Sequence, residues 1–164
     1  MTINTISLEV QISAQQMFVF KGQALIATYS ISSAKNGVGE QRDSFQTPRG
    51  KHIVRAKIGA GMPVNSVFVG RRATGEIYSP ALQEKFPQRD WILTRILWLS
   101  GLERGKNRLG SVDSMQRYIY IHGTPDQNIL GKPHSNGCIR MRNTDVIALF
   151  ELVEAGTIVN IQEC

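Results

Sequence analysis

Ile6, Leu8, Val10 and Ile12 alternate with polar residues at the start of the chain, a period of two that predicts a half-buried strand. The apolar run at 17–20, the turn Lys21-Gly22-Gln23 and the run at 24–32 predict a hairpin. A long loop rich in Gly, Ser and Asn follows at 33–50, closed by Pro48 and Gly50, and alternation returns over 51–59. Pro63, Pro80 and Pro87 break the stretch 60–90, which reads as irregular. The apolar run 91–99 fits a buried strand or a short helix; its length and its Thr, Ile and Trp content favour a strand. Residues 118–123 form a further strand ending at Gly123.

A helix is predicted over 143–156, with Asn143 or Thr144 as cap, Asp145 in the first turn and Gly156 just past the end. Val146, Ile147, Phe150 and Val153 make its apolar stripe, and 157–161 closes the chain as a last strand. No repeat or linker divides the 164 residues, so 1–164 is expected to be one domain, mainly β, with one or two helices packed against it.

Composition narrows the function classes. Lys and Arg number 19 against 13 acidic residues, a net charge of +6 that favours anionic partners. Nucleic acid is one such partner, but no aromatic-basic stripe or binding motif supports it, and none is expected. No run approaches 18 apolar residues, so no membrane span is expected. The N-terminus shows neither a basic n-region nor an apolar h-region. The expectation is a cytoplasmic protein if the sequence is the full gene product, and a periplasmic or wall protein if a leader was removed. Cys138 and Cys164 form no disulfide framework.

The candidate chemistry lies in "PHSNGCIRM", 133–141. A cysteine attacks as its thiolate and needs an imidazole or a positive charge nearby. His122 ends a strand sixteen residues before Cys138, beside Gly123, and is the candidate base. His52, within a strand, reads as structural, and His134 as solvent-exposed. The amides of Gly137 and Cys138 are a candidate oxyanion hole. Arg140 is a candidate fork for a ligand carboxylate; Arg142 reads equally as a solvated charge before the helix.

"IHGT" at 121–124, "GKPHSNGCIRM" at 131–141 and the Asn-x-Asp helix start resemble the L,D-transpeptidase (YkuD-type) catalytic domain, as does the stretch 37–52 with its Thr-Pro-x-Gly. The resemblance runs from about residue 15 to 161. It implies a β-sandwich-like domain with the cysteine loop over one sheet. It also implies Cys138 as the nucleophile acylated by a peptidoglycan tetrapeptide stem, and His122 as the imidazole that activates it. The Gly123 carbonyl would orient that imidazole, and Ser135, Gly137 and Arg140 would surround the acyl site. Asn136 stands where the family has a histidine; it can hydrogen-bond but carries no charge. No metal or organic cofactor is implied. The expected partners are peptidoglycan stem peptides or soluble muropeptides, and the oligomeric state is not readable. The reading adopted is an L,D-carboxypeptidase of muropeptide recycling that removes terminal D-Ala. L,D-transpeptidase cross-linking or D-amino-acid exchange is the alternative, and an inactive stem-peptide-binding domain, suggested by Asn136, is the alternative of another class.

Overall fold

A computed structural model describes residues 4–125 and 127–164. Its strands are β1 (Ile6–Gln11), β2 (Gln16–Lys21), β3 (Ala24–Ser32), β4 (Gly50–Ile58), β5 (Ser66–Val69), β6 (Arg72–Ile77), β7 (Ile92–Gly101), β8 (Tyr120–Thr124), β9 (Ile139–Arg142) and β10 (Ile158–Gln162). Two α-helices accompany them, α1 (Pro80–Lys85) and α2 (Asn143–Leu152). All ten strands join one sheet in the order β4-β10-β1-β2-β3-β9-β8-β7-β5-β6. A further pairing of β4 with β7 closes the run from β4 round to β7 into a ring, leaving the β5–β6 hairpin attached outside β7. The mainly β, sandwich-like architecture with helices packed on it is thus present. Among the described residues no helix is long and apolar enough to cross a membrane.

Alternation explains the ring. Leu8 and Val10 of β1, Met17 and Val19 of β2 and Val54 of β4 turn inward and are fully buried. They meet Leu97 and Leu99 of β7, Ile121 of β8, and Ile139 and Met141 of β9 in one core. Val146, Leu149 and Phe150 of α2 close that core. The helix therefore buries Leu149 in place of the expected Ile147, which is only half-buried. It is also shorter than expected: its cap is Val153, and Gly156 instead turns the chain into β10 with a φ of 95°. The expected cap is absent too, because the Asn143 side chain points inward rather than onto its own helix start.

The stretch 60–90 is not irregular. It forms the β5–β6 hairpin and α1; Pro63 lies in the turn before β5, and Pro80 and Pro87 mark the ends of α1. Pro80 opens α1 behind Ser79, whose Oγ accepts the Leu82 N–H at 3.1 Å, and Pro87 follows the last turn. Tyr78, Leu82 and Phe86 pack on a separate small core of Val67, Trp91 and Leu93. His52 is buried in β4 between the Gly50 carbonyl (3.0 Å) and Ser114 Oγ (2.8 Å), in keeping with a structural role.

Leu149→Ala should therefore lower stability by about 2–5 kcal/mol, the cost of a cavity in a packed core. Ile147→Ala should cost under about 1 kcal/mol as a half-exposed position. Urea denaturation followed by circular dichroism separates the two, and an equal cost for both would contradict this packing.

Candidate active site

Strands β8 and β9 run parallel, with Ile121 beside Ile139 and His122 beside Arg140. Because Ile121, Ile139 and Met141 face the main core, Tyr120, His122, Cys138 and Arg140 face the other side of the sheet. There Phe68, Ile96 and Tyr120 make a second apolar cluster, against which Cys138 packs. Cys138 comes level with Tyr120, whose N–H donates to Sγ at 3.4 Å, and the thiol donates to the Tyr118 carbonyl at 3.4 Å. His122, Cys138, Asn136, Arg140 and Asp90 line one cavity of about 240 Å³.

The imidazole is held firmly. His122 is buried, and Nδ1–H donates to the Gly123 carbonyl at 2.7 Å, which fixes the tautomer and leaves Nε2 as the acceptor. Gly123 has no room for a Cβ, which would run into the Asn143 amide oxygen and the Leu93 carbonyl. Asn143 in turn accepts from Thr94 Oγ1 at 2.8 Å and donates to Asn65 Oδ1 at 2.9 Å. Thr94 adopts a φ of 77°, a costly conformation for a β-branched residue, directly behind the glycine.

The loop before β9 is pinned from three sides. His134 and Ser135 donate their N–H groups to the Ser33 carbonyl at 2.8 Å, and Lys35 N–H donates to the Ser135 carbonyl at 3.0 Å. Thr47, from the Thr-Pro-x-Gly stretch, donates to the Gly137 carbonyl at 2.9 Å. Ser135 Oγ accepts the Gly137 N–H at 3.1 Å and donates to the Cys138 carbonyl. The Gly137 amide is thus engaged inside the loop, so of the expected oxyanion pair only the Cys138 amide remains as a candidate. Ser135 is buried as a strut of the loop, whereas Asn136 is exposed and lines the cavity.

Arg140 is not a free fork. Its Nη2 meets Asp90 Oδ1 at 2.9 Å, its Nη1 donates to His134 Nδ1 at 3.1 Å, and its Nε is buried with no acceptor. His134 is exposed, as expected, yet it is tied to the site through this contact. Arg142 pairs with Asp145 at the start of α2. Sequence reasoning missed Asp90, Thr94, Asn143 and Arg117. The last binds the carbonyls of Gly39, Glu40 and Gln46 and so ties the glycine-rich loop to the cavity wall. Of these only Asn143 carried a signal, as a polar residue just after the motif, and that signal resembled a helix cap.

Burial dominates the electrostatics. It pushes the Cys138 thiol up to about 12, with Asp90 adding to the rise and the Tyr120 N–H, Arg140 and Arg117 opposing it. Burial also lowers the His122 imidazole, partly offset by Asp90 and by the Gly123 carbonyl. Burial thus favours a neutral thiol and a neutral imidazole in the resting pair. Among the described residues no three His, Cys, Asp or Glu side chains converge as a metal site.

The sign of the shift gives a measurable outcome. In a Cys164→Ser background, iodoacetamide labelling of Cys138 should still climb about tenfold per pH unit between pH 9 and 11, because the thiolate is the reacting form. A rate that has levelled off by pH 8 would mean a resting thiolate and would contradict the neutral pair.

Comparison with known proteins gives the family and supports the fold. The family model of the L,D-transpeptidase catalytic domain, YkuD, matches residues 6–161. A Bacillus subtilis protein carrying the provisional name L,D-transpeptidase YkuD is 54% identical over 46 residues, 28% of either chain. A second from the same organism, provisionally named L,D-transpeptidase YqjB, is 49% identical over 41 residues, 25% of this chain and 23% of that one. Among solved structures, L,D-transpeptidase 3 from Mycobacterium tuberculosis, in complex with a faropenem-derived adduct, superposes with a TM-score of 0.60 at 16% identity. The match covers 97% of this chain and 60% of that one. An L,D-transpeptidase from Mycobacterium smegmatis gives 0.57 at 18% identity, covering 96% and 58%. The matches thus span about a quarter of those curated relatives and about three fifths of those solved chains, and the structural likeness speaks for the fold. With its family model covering nearly the whole length, this chain belongs to the L,D-transpeptidase (YkuD) catalytic-domain family.

Proposed function

We propose that this protein cleaves the bond between the third residue and terminal D-Ala of peptidoglycan tetrapeptide stems through a thioester on Cys138, and that water resolves the thioester. The observation that carries the reading is His122, locked by the Gly123 carbonyl so that Nε2 is its accepting nitrogen, in the same cavity as the Cys138 thiol. Family membership supports peptidoglycan as the substrate.

The neutral pair dictates the order of events. As Sγ bonds to the carbonyl carbon on the L-centre side, its proton passes to His122 Nε2, so no resting thiolate is needed. The charge that develops on the carbonyl oxygen has the Cys138 amide as its donor. The imidazolium then returns the proton to the amine of D-Ala, which leaves as the C–N bond breaks. Water attacks the thioester, gives one proton to Nε2, and releases the tripeptide acid and the thiol.

Charge supports water over an amine as the acceptor. The Cys138 cavity adjoins one of about 520 Å³ lined by Lys35, Arg89, Arg140 and Asp90, and another of about 230 Å³ lined by Arg42, Arg117 and Asp43. Cations outnumber carboxylates in both linings, so an acceptor amine arriving as an ammonium is disfavoured and a stem rich in carboxylates is attracted. The openings on two sides favour the second reading, transfer to another stem.

Cys138→Ala should abolish turnover, and His122→Ala should lower kcat by about 10²- to 10⁴-fold, the usual worth of a positioned base. Mass spectrometry of a tetrapeptide digest should show tripeptide and free D-Ala. Cross-linked dimers alone would move the assignment to transpeptidation, and full activity in folded Cys138→Ala would remove the thioester altogether.

A further inference from the structure

Between the cavity over Cys138 and the larger one beside it lies one contact that the chemistry above does not use. Asp90 and Arg140 both line the cavity over Cys138 and the neighbouring cavity of about 520 Å³, so their ion pair forms the wall between them. The two partners are held very differently. The Arg140 side chain is 12% exposed and is anchored by its strand and by His134; that of Asp90 is 45% exposed. The guanidinium is also incompletely matched. Asp90 meets Nη2 through one oxygen, while the adjacent Nε is buried with no acceptor. A carboxylate seated across the Nε–Nη2 edge makes two parallel bonds, the favoured geometry for arginine.

We propose that Asp90 stands in for a ligand carboxylate on Arg140, so that the resting site is closed by an internal ion pair which a carboxylate-bearing ligand displaces. Only the identity of that ligand, a stem peptide, rests on the function proposed above. The exchange conserves charge: one carboxylate leaves the guanidinium and another takes its place, with no buried charge left unpaired. An ion pair with a partner this exposed is weak, so a better-placed carboxylate competes with it.

Opening requires little movement. Trp91 is buried against Tyr78 with ring centroids 5.0 Å apart, and Arg89 is paired with Glu76 at 2.8 Å. The backbone on both sides of Asp90 is thus anchored, and rotation of one short side chain breaks the contact.

The test needs no turnover. Isotope-labelled protein is titrated with N-acetyl-D-alanine, and with its primary amide as a neutral control, following the backbone amide resonances of Asn136, Gly137 and Arg140. Asp90→Asn should bind N-acetyl-D-alanine about tenfold more tightly than the wild type, the scale of one charge-assisted hydrogen bond. The primary amide should gain nothing. Asp90→Asn combined with Arg140→Lys keeps the cation but removes the fork, and should lose most of the gain. Asp90→Ser serves if Asn at this position disturbs the spectrum. The proposal is overturned if the variant binds no better than the wild type, if the amide gains equally, or if the gain survives Arg140→Lys. Because binding is read directly, either result stands whether or not a tetrapeptide is hydrolysed.

Discussion

The parallel register of β8 and β9 is the constraint on which the site depends. With Ile121 set beside Ile139, the core takes Ile121, Ile139 and Met141, and the opposite face receives His122, Arg140 and, one residue before the strand, Cys138. A slip of one residue would send the nucleophile into the core and an isoleucine into the cavity. Burial of each large apolar side chain is worth about 1.5–3 kcal/mol, so the three together oppose such a slip strongly. Parallel neighbours cannot be joined by a tight turn, and the connection between them is where the loop 133–138 is carried. The loop is then tied to Ser33, Lys35 and Thr47, none of which belongs to either strand of the pair.

Burial bears on the protonation state as well as on the position. It moves thiol and imidazole in opposite directions, and both movements favour the uncharged form. A resting thiolate–imidazolium pair would place two charges in a cavity walled by Tyr118, Tyr120 and Ile92, where desolvation opposes charge separation. Asp90 and Arg140 act on each catalytic group with opposite signs, and Arg117 joins Arg140 in opposing the rise of the thiol. The proton is therefore best moved when the carbonyl carbon arrives, and the reactive anion is not left open to other electrophiles.

Much of this was legible because period-two patterns are local. The strand at 6–11 follows from alternation alone and those at 24–32 and 158–162 from short apolar runs. "YIYIHG", by contrast, put His122 at a strand end, whereas β8 starts at Tyr120, carries His122 in its middle and runs on to Thr124. The stretch 60–90 was misread because proline is a breaker inside an element and a marker at its edge, and one sequence cannot tell the two apart. Asn143 was read as a cap because the competing partners, Thr94 and Asn65, lie 49 and 78 residues away. Arg140 was read as a free fork for the same reason: Asp90 is 50 residues distant and sits in no motif. The Gly137 amide was assigned to an oxyanion hole because nothing in the sequence shows the rotamer of Ser135.

Strain is gathered round the same few residues. Thr94 at a φ of 77° backs Gly123, and Tyr118 at 56° turns its carbonyl to the thiol and its ring to solvent. Each conformation costs on the order of 1–3 kcal/mol and persists only where its surroundings over-determine it. β7 supplies those surroundings, since it pairs with β4, β5 and β8 and shifts register on more than one side. Closing the ring through β4–β7 fixes that strand, and the strand fixes Leu93 and Thr94 beneath the glycine that orients the base. The rigidity of the imidazole thus originates in the sheet closure, through contacts that touch no substrate.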